Sequence, residues 1–476
     1  MPKQPPLLFL LDRSQPASLQ TQLSMSLKRL MHNGTLRPGK AVPSSRELAH
    51  DLQISRNTVI QAYDRLIGEG YLTAAARRGL FVSQSLNEKN LRKLGSRAPA
   101  APPAVSTAGN VVSSVAPAPF RPCQPDVHLF PLQLWNRART RALRRHGTSL
   151  LQYHSNQPLG LPALRSSLAS YLHASRGVRC DWRQIAVTNG SQEALFLLAH
   201  LLLKPGDHAA LEDPGYLGAR LALQEAGAVI RPIPVDADGI NIASEKGLSA
   251  KMIYTTPSRQ FPTGACLSLA RRLELVELAA KTKTWIIEDD YDSEFRYSRA
   301  PLPSLQSLDR SQRVIYVGST SKSLFPSLRI GYAVLPPSLV EKFARLRASA
   351  DEHGPLIDQA ALAEFIESGA FYTHMRRSRR VYAARLEVFL DAAARFNLPL
   401  EFPHTDGGMN LAGFLPAGRD DEECSRHLRS NGLEVPPLSR YSLRSTAPGL
   451  LFGFTAFPPG MIRKSIQCAA RVLRSL

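Results

Sequence analysis

The stretch "GSTSKSLFPSLR" gathers Ser319, Ser321, Lys322 and Arg329 directly after the apolar run "VIYV". An amine among small hydroxyls, with a guanidinium seven residues on, is the composition of a wall that faces an anion. A basic surface loop has the same letters. Ser319 to Lys322 is also a literal Ser-x-x-Lys match, but the companion motifs and strand context that β-lactamase chemistry needs are absent. A second stretch, "IIEDDYDSEF", puts Asp289 and Tyr291 at the end of an apolar run; such carboxylates also suit a metal site or a solvated acidic loop. In a third, "TNGSQEALFLLAHLL", a strand-like run turns at Gly190 into a helix. The N–H groups of Gly190, Ser191 and Gln192 can then hold a phosphate at that helix N-terminus.

Together these groups suit one cofactor. A lysine amine forms a Schiff base with an aldehyde, and a carboxylate pairs with a protonated pyridine nitrogen. A tyrosine hydroxyl donates to a ring oxygen, while serines, an arginine and a helix N-terminus hold a phosphate. That cofactor is pyridoxal 5′-phosphate.

The elements that must position these residues alternate between strand and helix. "QIAVTNG", "HAALED", "KMIYTTP", "TWIIEDD", "VIYVGS" and "RIGYAVLP" read as strands separated by helix-length segments. Such alternation predicts a mostly parallel sheet covered by helices, with ligands beyond the carboxyl ends of the strands. Most of the polar residues above fall at those ends.

The first eighty or so residues follow another pattern. Leu19, Leu23, Leu27, Leu30 and Met31 form one apolar stripe at helical spacing. In "PSSRELAHDLQ", Ser44 and Glu47 form a capping-box signature for a short second helix. Ser55 is the expected N-cap of a third, whose buried face is expected to be Val59, Ala62, Tyr63, Leu66 and Ile67 until Gly68 and Gly70 stop it. Two strand-like runs around Arg77, Arg78 and Gly79 complete a winged helix-turn-helix. In that geometry the start of the third helix enters the major groove, where Arg56, Asn57 and Thr58 can reach base edges or phosphates; the same letters also suit a small helical domain with ordinary surface arginines.

The totals fit this division. A chain of 476 residues is too long for one ordinary core, and 43% apolar with 21% charged residues is a globular composition. The net charge of +20 favours a polyanionic partner. Five scattered cysteines, without metal-ligand pairing, suit a reducing cytoplasm and leave no metal framework. No run has the length or flanks of a secretion signal or a membrane span. A segment rich in Pro, Ala and Ser separates the two parts, so the expected organisation is a DNA-binding module at 1–86, a linker at 87–118 and an effector domain at 119–476.

Across "RPGKAVPSSRELAHDLQISRNTVIQAYDRLIGEGYL" the chain closely resembles the GntR-type winged-helix regulators. That resemblance implies that Arg46, Ser55, Arg56, Asn57 and Thr58 face DNA and that Arg77, Arg78 and Gly79 form the wing tip. The wing departs from the family, with "ARRGLFV" in place of a Gly-rich "GSGTFV"-like end. The remainder resembles fold-type I aminotransferases over almost its whole length, and looks most like the sensor domain of MocR-type regulators. The phrases "YHSNQPLGLPALRSSLASYL", "DPGYLGAR", "TPSRQFPTG", "IIEDDYDSEFRY" and "STSKSLFPSLRIGY" match in order.

The implied fold is α/β: a winged helix-turn-helix followed by a mixed, mostly parallel sheet with helices on both faces, and a small C-terminal α+β subdomain. The implied roles are residue by residue. Lys322 carries the internal aldimine, Asp289 pairs with the pyridine nitrogen, Tyr291 donates to the ring hydroxyl and Tyr216 stacks on the ring. Gly190, Ser191, Gln192, Ser319, Ser321 and Arg329 surround the phosphate, and Arg440 holds an effector carboxylate. Phe261 stands where aminotransferases usually place an asparagine, and Arg259 where MocR-type regulators often carry histidine.

The resemblance therefore implies a transcription regulator that senses an amino compound, or the cofactor itself, through Lys322. Its aminotransferase-like domain would serve as a sensor and not as an enzyme, with at most a residual half-reaction. It also implies a head-to-tail, domain-swapped homodimer on double-stranded DNA with paired half-sites, and no membrane. The alternative is an active aminotransferase carrying a DNA-binding module, in which Lys322 moves the substrate α-proton.

Overall fold

The computed structural model describes residues 11–13, 15, 17–75, 79–84, 118–153, 156–245, 247–297, 302–444 and 447–476. The chain divides into two compact units, Met1–Ser113 and Ser114–Leu476. The expected linker at 87–118 lies outside the described residues but for its last position.

In the first unit, helices α1 (Leu19–His32), α2 (Ser45–Asp51) and α3 (Arg56–Gly68) precede a hairpin of β1 (Leu72–Ala75) and β2 (Gly79–Val82). The capping box forms as its letters predict: Ser44 N–H donates to Glu47 Oε2 at 2.9 Å, and Glu47 N–H to Ser44 Oγ at 3.2 Å. Ser55 caps α3 by accepting from Thr58 N–H at 3.1 Å. Leu23, Leu27 and Met31 of α1 pack with Val59, Ala62, Tyr63 and Leu66 of α3, and Leu72 and Val82 of the hairpin close the core. Ile67 departs from the expected buried face and is 36% exposed. It lies in the last turn of α3, where Leu66 has already taken the position over α1.

The second unit is built on an eight-stranded sheet of order β3-β10-β9-β8-β7-β4-β5-β6. Its strands are β3 (Ile185–Thr188), β4 (His208–Asp213), β5 (Val229–Asp236), β6 (Gly239–Ile240), β7 (Met252–Thr255), β8 (Trp285–Asp290), β9 (Val314–Ser319) and β10 (Gly331–Val334). Pairings β5–β4–β7–β8–β9 are parallel, while β10 runs antiparallel to both β9 and β3. All six sequence-read strands are present. Two more, β5 and β6, extend the edge; "VIRPIPVD" carries Pro232 and Pro234, which mask its strand character in sequence and suit an edge position.

Residues near Phe120 join the C-terminal subdomain, where β11 (Asn410–Phe414) and β12 (Gly449–Gly453) pair antiparallel. Helices Ala370–Arg395, Asp421–Ser430 and Pro459–Arg474 enclose a core in which Phe120 meets Phe389 and Phe452 edge-on at 5.7 and 5.4 Å. The consequence for the site is directional. β4, β7, β8 and β9 end, and β10 begins, at one edge of the sheet.

Candidate functional site

At that edge the strand ends enclose a cavity of about 140 Å³. β9 delivers Ser319, and the loop after it delivers Ser321, Lys322 and Arg329. β8 delivers Asp289 and the residue after its end Tyr291, β7 delivers Tyr254 and the residue after its end Thr256, and the loop after β4 delivers Tyr216. Ser191 and Gln192 open the helix Ser191–Leu202, whose N-cap Gly190, at φ 88°, provides no side chain over the first N–H groups. Any Cβ at Gly190 would also come within 3.0 Å of the Arg329 guanidinium.

The sequence therefore brings together Ser191, Gln192, Tyr216, Asp289, Tyr291, Ser319, Ser321, Lys322 and Arg329, with Gly190 behind them. Arg440 stands apart: it is exposed and does not line the cavity, although its neighbour Tyr441 packs edge-on against Phe261 at 5.2 Å. Three cavity residues escaped the sequence reading. Tyr254 donates to Asp289 Oδ2 at 2.7 Å, Thr256 donates to Glu212 Oε2 at 2.7 Å, and the Cys123 carbonyl accepts from Lys322 Nζ at 3.2 Å. Tyr254 lies opposite Ile287 in the β7–β8 ladder, so it shares a face with Asp289 two residues on. Strand adjacency would have exposed it. Cys123 is 199 residues from Lys322, and no local pattern announces the contact.

The electrostatics follow from burial. Asp289 is 4% exposed, and loss of water pushes its carboxyl up to about 7, against the opposing hydrogen bond from Tyr254. Burial also drives the Tyr216 hydroxyl up to about 12 and the Tyr291 hydroxyl well above its ordinary value, so both stay protonated donors. Two buried atoms of lining residues have no hydrogen-bond partner among the described residues: Asp289 Oδ1 and Ser321 Oγ. A buried polar atom without a partner costs about 1–3 kcal/mol, so each has hydrogen-bonding capacity unspent among the described residues. Phe261 forms an apolar wall, edge-on to Tyr216 at 5.8 Å and to Tyr291 at 5.9 Å.

Above the cavity the C-terminal subdomain is tied to the sheet edge. Asp213, the last residue of β4, accepts from Ser442 Oγ at 2.8 Å, Leu443 N–H at 2.7 Å and Arg444 N–H at 2.9 Å. Gly215 N–H donates to the Tyr441 carbonyl at 3.0 Å.

In the winged-helix unit, Arg46, Ser55, Arg56 and Asn57 are exposed together around the α2–α3 turn, and Arg56 Nε donates to Ser45 Oγ at 3.2 Å. Thr58 is half-buried and Gly79 is exposed; Arg77 and Arg78 lie outside the described residues. No helix among the described residues is long and apolar enough to cross a membrane, and among them no group of three or more His, Cys, Asp or Glu is arranged to hold a metal ion.

Residues 19–82 match the family "Bacterial regulatory proteins, gntR family", and residues 129–450 match "Aminotransferase class I and II". The fold and cavity thus define a winged-helix DNA-binding protein with a fold-type I aminotransferase domain, a domain that binds pyridoxal 5′-phosphate. Over 97% of its length the chain is 38% identical to the probable rhizopine catabolism regulatory protein MocR of Rhizobium meliloti, of which 94% is covered. It is 32% identical to the HTH-type transcriptional regulator TauR of Rhodobacter capsulatus over 98% of this chain and 99% of that protein. Among solved structures, LysN, the α-aminoadipate aminotransferase of Thermus thermophilus, is similar with a TM-score of 0.69 and 29% identity. That likeness covers 75% of this chain and 92% of LysN. The chain belongs to the MocR-type subfamily of GntR transcription regulators.

Proposed function

We propose that this regulator holds pyridoxal 5′-phosphate in the Lys322 cavity and changes its hold on DNA when a small amino compound enters there. When bound, the cofactor supplies an aldehyde and an electron-withdrawing pyridine ring. Among the described residues, Lys322 is the one primary amine lining the cavity and is the attachment point. Asp289 would hold the pyridine nitrogen, Tyr291 would donate to the ring hydroxyl and Tyr216 would pack against the ring. Ser319, Ser321, Arg329 and the N–H groups following Gly190 hold the phosphate. The observation that carries this reading is the pair of buried, partnerless atoms, Asp289 Oδ1 and Ser321 Oγ, beside a lysine amine.

Sensing is favoured over turnover by Phe261, whose ring offers no donor to the cofactor where an aminotransferase would place an amide. An entering amine competes with the Lys322 amine, and its carboxylate is held by Arg440 once the segment around Tyr441 moves inward. Only a difference in effector affinity between two conformations can drive the change in DNA binding. The regulator acts in the cytoplasm as a homodimer on an operator with paired half-sites, contacted by Arg46, Ser55, Arg56, Asn57, Thr58 and the wing residues Arg77, Arg78 and Gly79.

The test is the visible absorption spectrum of the purified protein and of Lys322→Ala during titration with amino acids. A cofactor band present in the first and lost in the second is expected, with amino acids shifting it while no keto acid accumulates. Steady keto-acid formation in the presence of a second keto acid would make the domain an aminotransferase. Absence of a band from both proteins would remove the cofactor from this reading.

A further inference from the structure

A second cavity, of about 780 Å³, opens between the sheet edge and the C-terminal subdomain, and none of its lining residues lines the Lys322 cavity. Its charged lining is uneven in commitment. Asp213 is filled by three donors from 442–444, and Asp236 is held by Arg271 at 2.5 and 2.7 Å. Asp292 differs. It is 2% exposed, its Oδ2 faces Arg259 Nε at 3.6 Å, and its Oδ1 is buried without a partner among the described residues.

Arg259 is itself fixed, donating to Thr405 Oγ1 at 2.6 Å and to the Asn410 carbonyl at 2.5 Å. Arg296 is not. Its side chain is 17% exposed, its ion pair with Asp406 is loose at 3.6 Å, and it also touches the Cys266 sulfur at 3.9 Å. Among the described residues, one cavity thus holds a buried carboxylate oxygen without a donor and a guanidinium whose carboxylate partner stands off at 3.6 Å. Each is costly to leave unmatched, and a zwitterion matches both.

We propose that this cavity is a second, non-covalent ligand site for a free amino acid, its ammonium on Asp292 Oδ1 and its carboxylate on Arg296. The site stands on its own residues and does not depend on how the Lys322 cavity is used. A ligand here lies against Asp292 and Arg296, both just past β8, and beside the segment 403–408 that leads into β11 and lines the same cavity.

The test is isothermal titration of the full-length protein with the common amino acids, with n-butylamine and propionate as single-charge probes. It is repeated for Asp292→Asn, for Ala237→Trp, which fills the exposed rim of the cavity, and for Lys322→Ala. The expected result is one or more amino acids that bind Lys322→Ala and the unaltered protein alike. Asp292→Asn should weaken that binding roughly 10- to 100-fold, the cost of a charged hydrogen bond, and Ala237→Trp should abolish it. The proposal is overturned if no amino acid binds Lys322→Ala, if Ala237→Trp binds as tightly as the unaltered protein, or if n-butylamine binds as tightly as the amino acid.

Discussion

Replacing Asp289 by asparagine should stabilise the cofactor-free protein, and by an amount that grows with pH. A carboxyl in the unfolded chain titrates near ~3.9; in the folded protein burial raises the Asp289 carboxyl to about 7. Between those values the folded state holds more protons than the unfolded state. Its stability therefore falls as pH rises from about 4 to about 7 and is level above. Each unit of difference is worth ~1.4 kcal/mol, so the penalty is between about 1 and 2 kcal/mol at pH 5 and about 4 kcal/mol at pH 8.

Asparagine removes that penalty and still offers an oxygen to the Tyr254 hydroxyl, at a cost of about 1 kcal/mol at every pH. Urea unfolding of both proteins, stripped of cofactor, at pH 5 and pH 8 measures the difference. Asp292 and Glu294, whose carboxyls burial also lifts to about 7, remain in both and cancel at each pH. The Asn variant should gain roughly 2–3 kcal/mol more at pH 8 than at pH 5. A pH-independent difference, or a greater loss at pH 8, would refute the claim that burial raises the Asp289 carboxyl.

Other consequences are as direct. Ser321→Ala should weaken cofactor binding roughly 10- to 100-fold by removing one hydrogen bond to a charged group, read by equilibrium dialysis against pyridoxal phosphate. Asn57→Ala should cost ~1–3 kcal/mol on the best operator and relax its sequence preference if the side chain reads a base. Arg56→Ala, if it holds a phosphate, should lower the slope of log affinity against log salt by ~0.9; mobility-shift titrations at several salt concentrations separate the two cases. Ser44→Ala should destabilise the winged-helix unit by ~1 kcal/mol through loss of the capping box, seen as a lowered unfolding midpoint.

Much of this was legible in the sequence because each signal is local. Ser44 and Glu47 announce a helix start three residues apart, and apolar runs such as "VIYV" announce buried parallel strands. The polar residues that follow those runs inherit their place from the strand ends, which is why Lys322, Asp289 and Ser191 converge although 131 positions separate the outermost two. What could not be read depends on pairings distant in sequence. The Tyr254–Asp289 bond needs the order of β7 and β8, the Cys123–Lys322 contact needs the return of a segment 199 residues away, and β5 is disguised by its two prolines. Arg440 shows the converse. Only the family resemblance assigns it a carboxylate partner, and its side chain is exposed, as its local sequence alone would suggest.

The tie between Asp213 and residues 442–444 carries a mechanical meaning. Three donors converge on one carboxylate at the end of β4, and a fourth bond joins Gly215 to Tyr441. Tyr216, the ring at the cavity wall, is the very next residue, and Tyr441 is the ring that touches Phe261. Both rings therefore adjoin the same joint. Asp213 and Gly215 are thus the shared anchor of the cavity wall and the C-terminal subdomain, and a substitution that removes the Asp213 carboxylate loosens both at once.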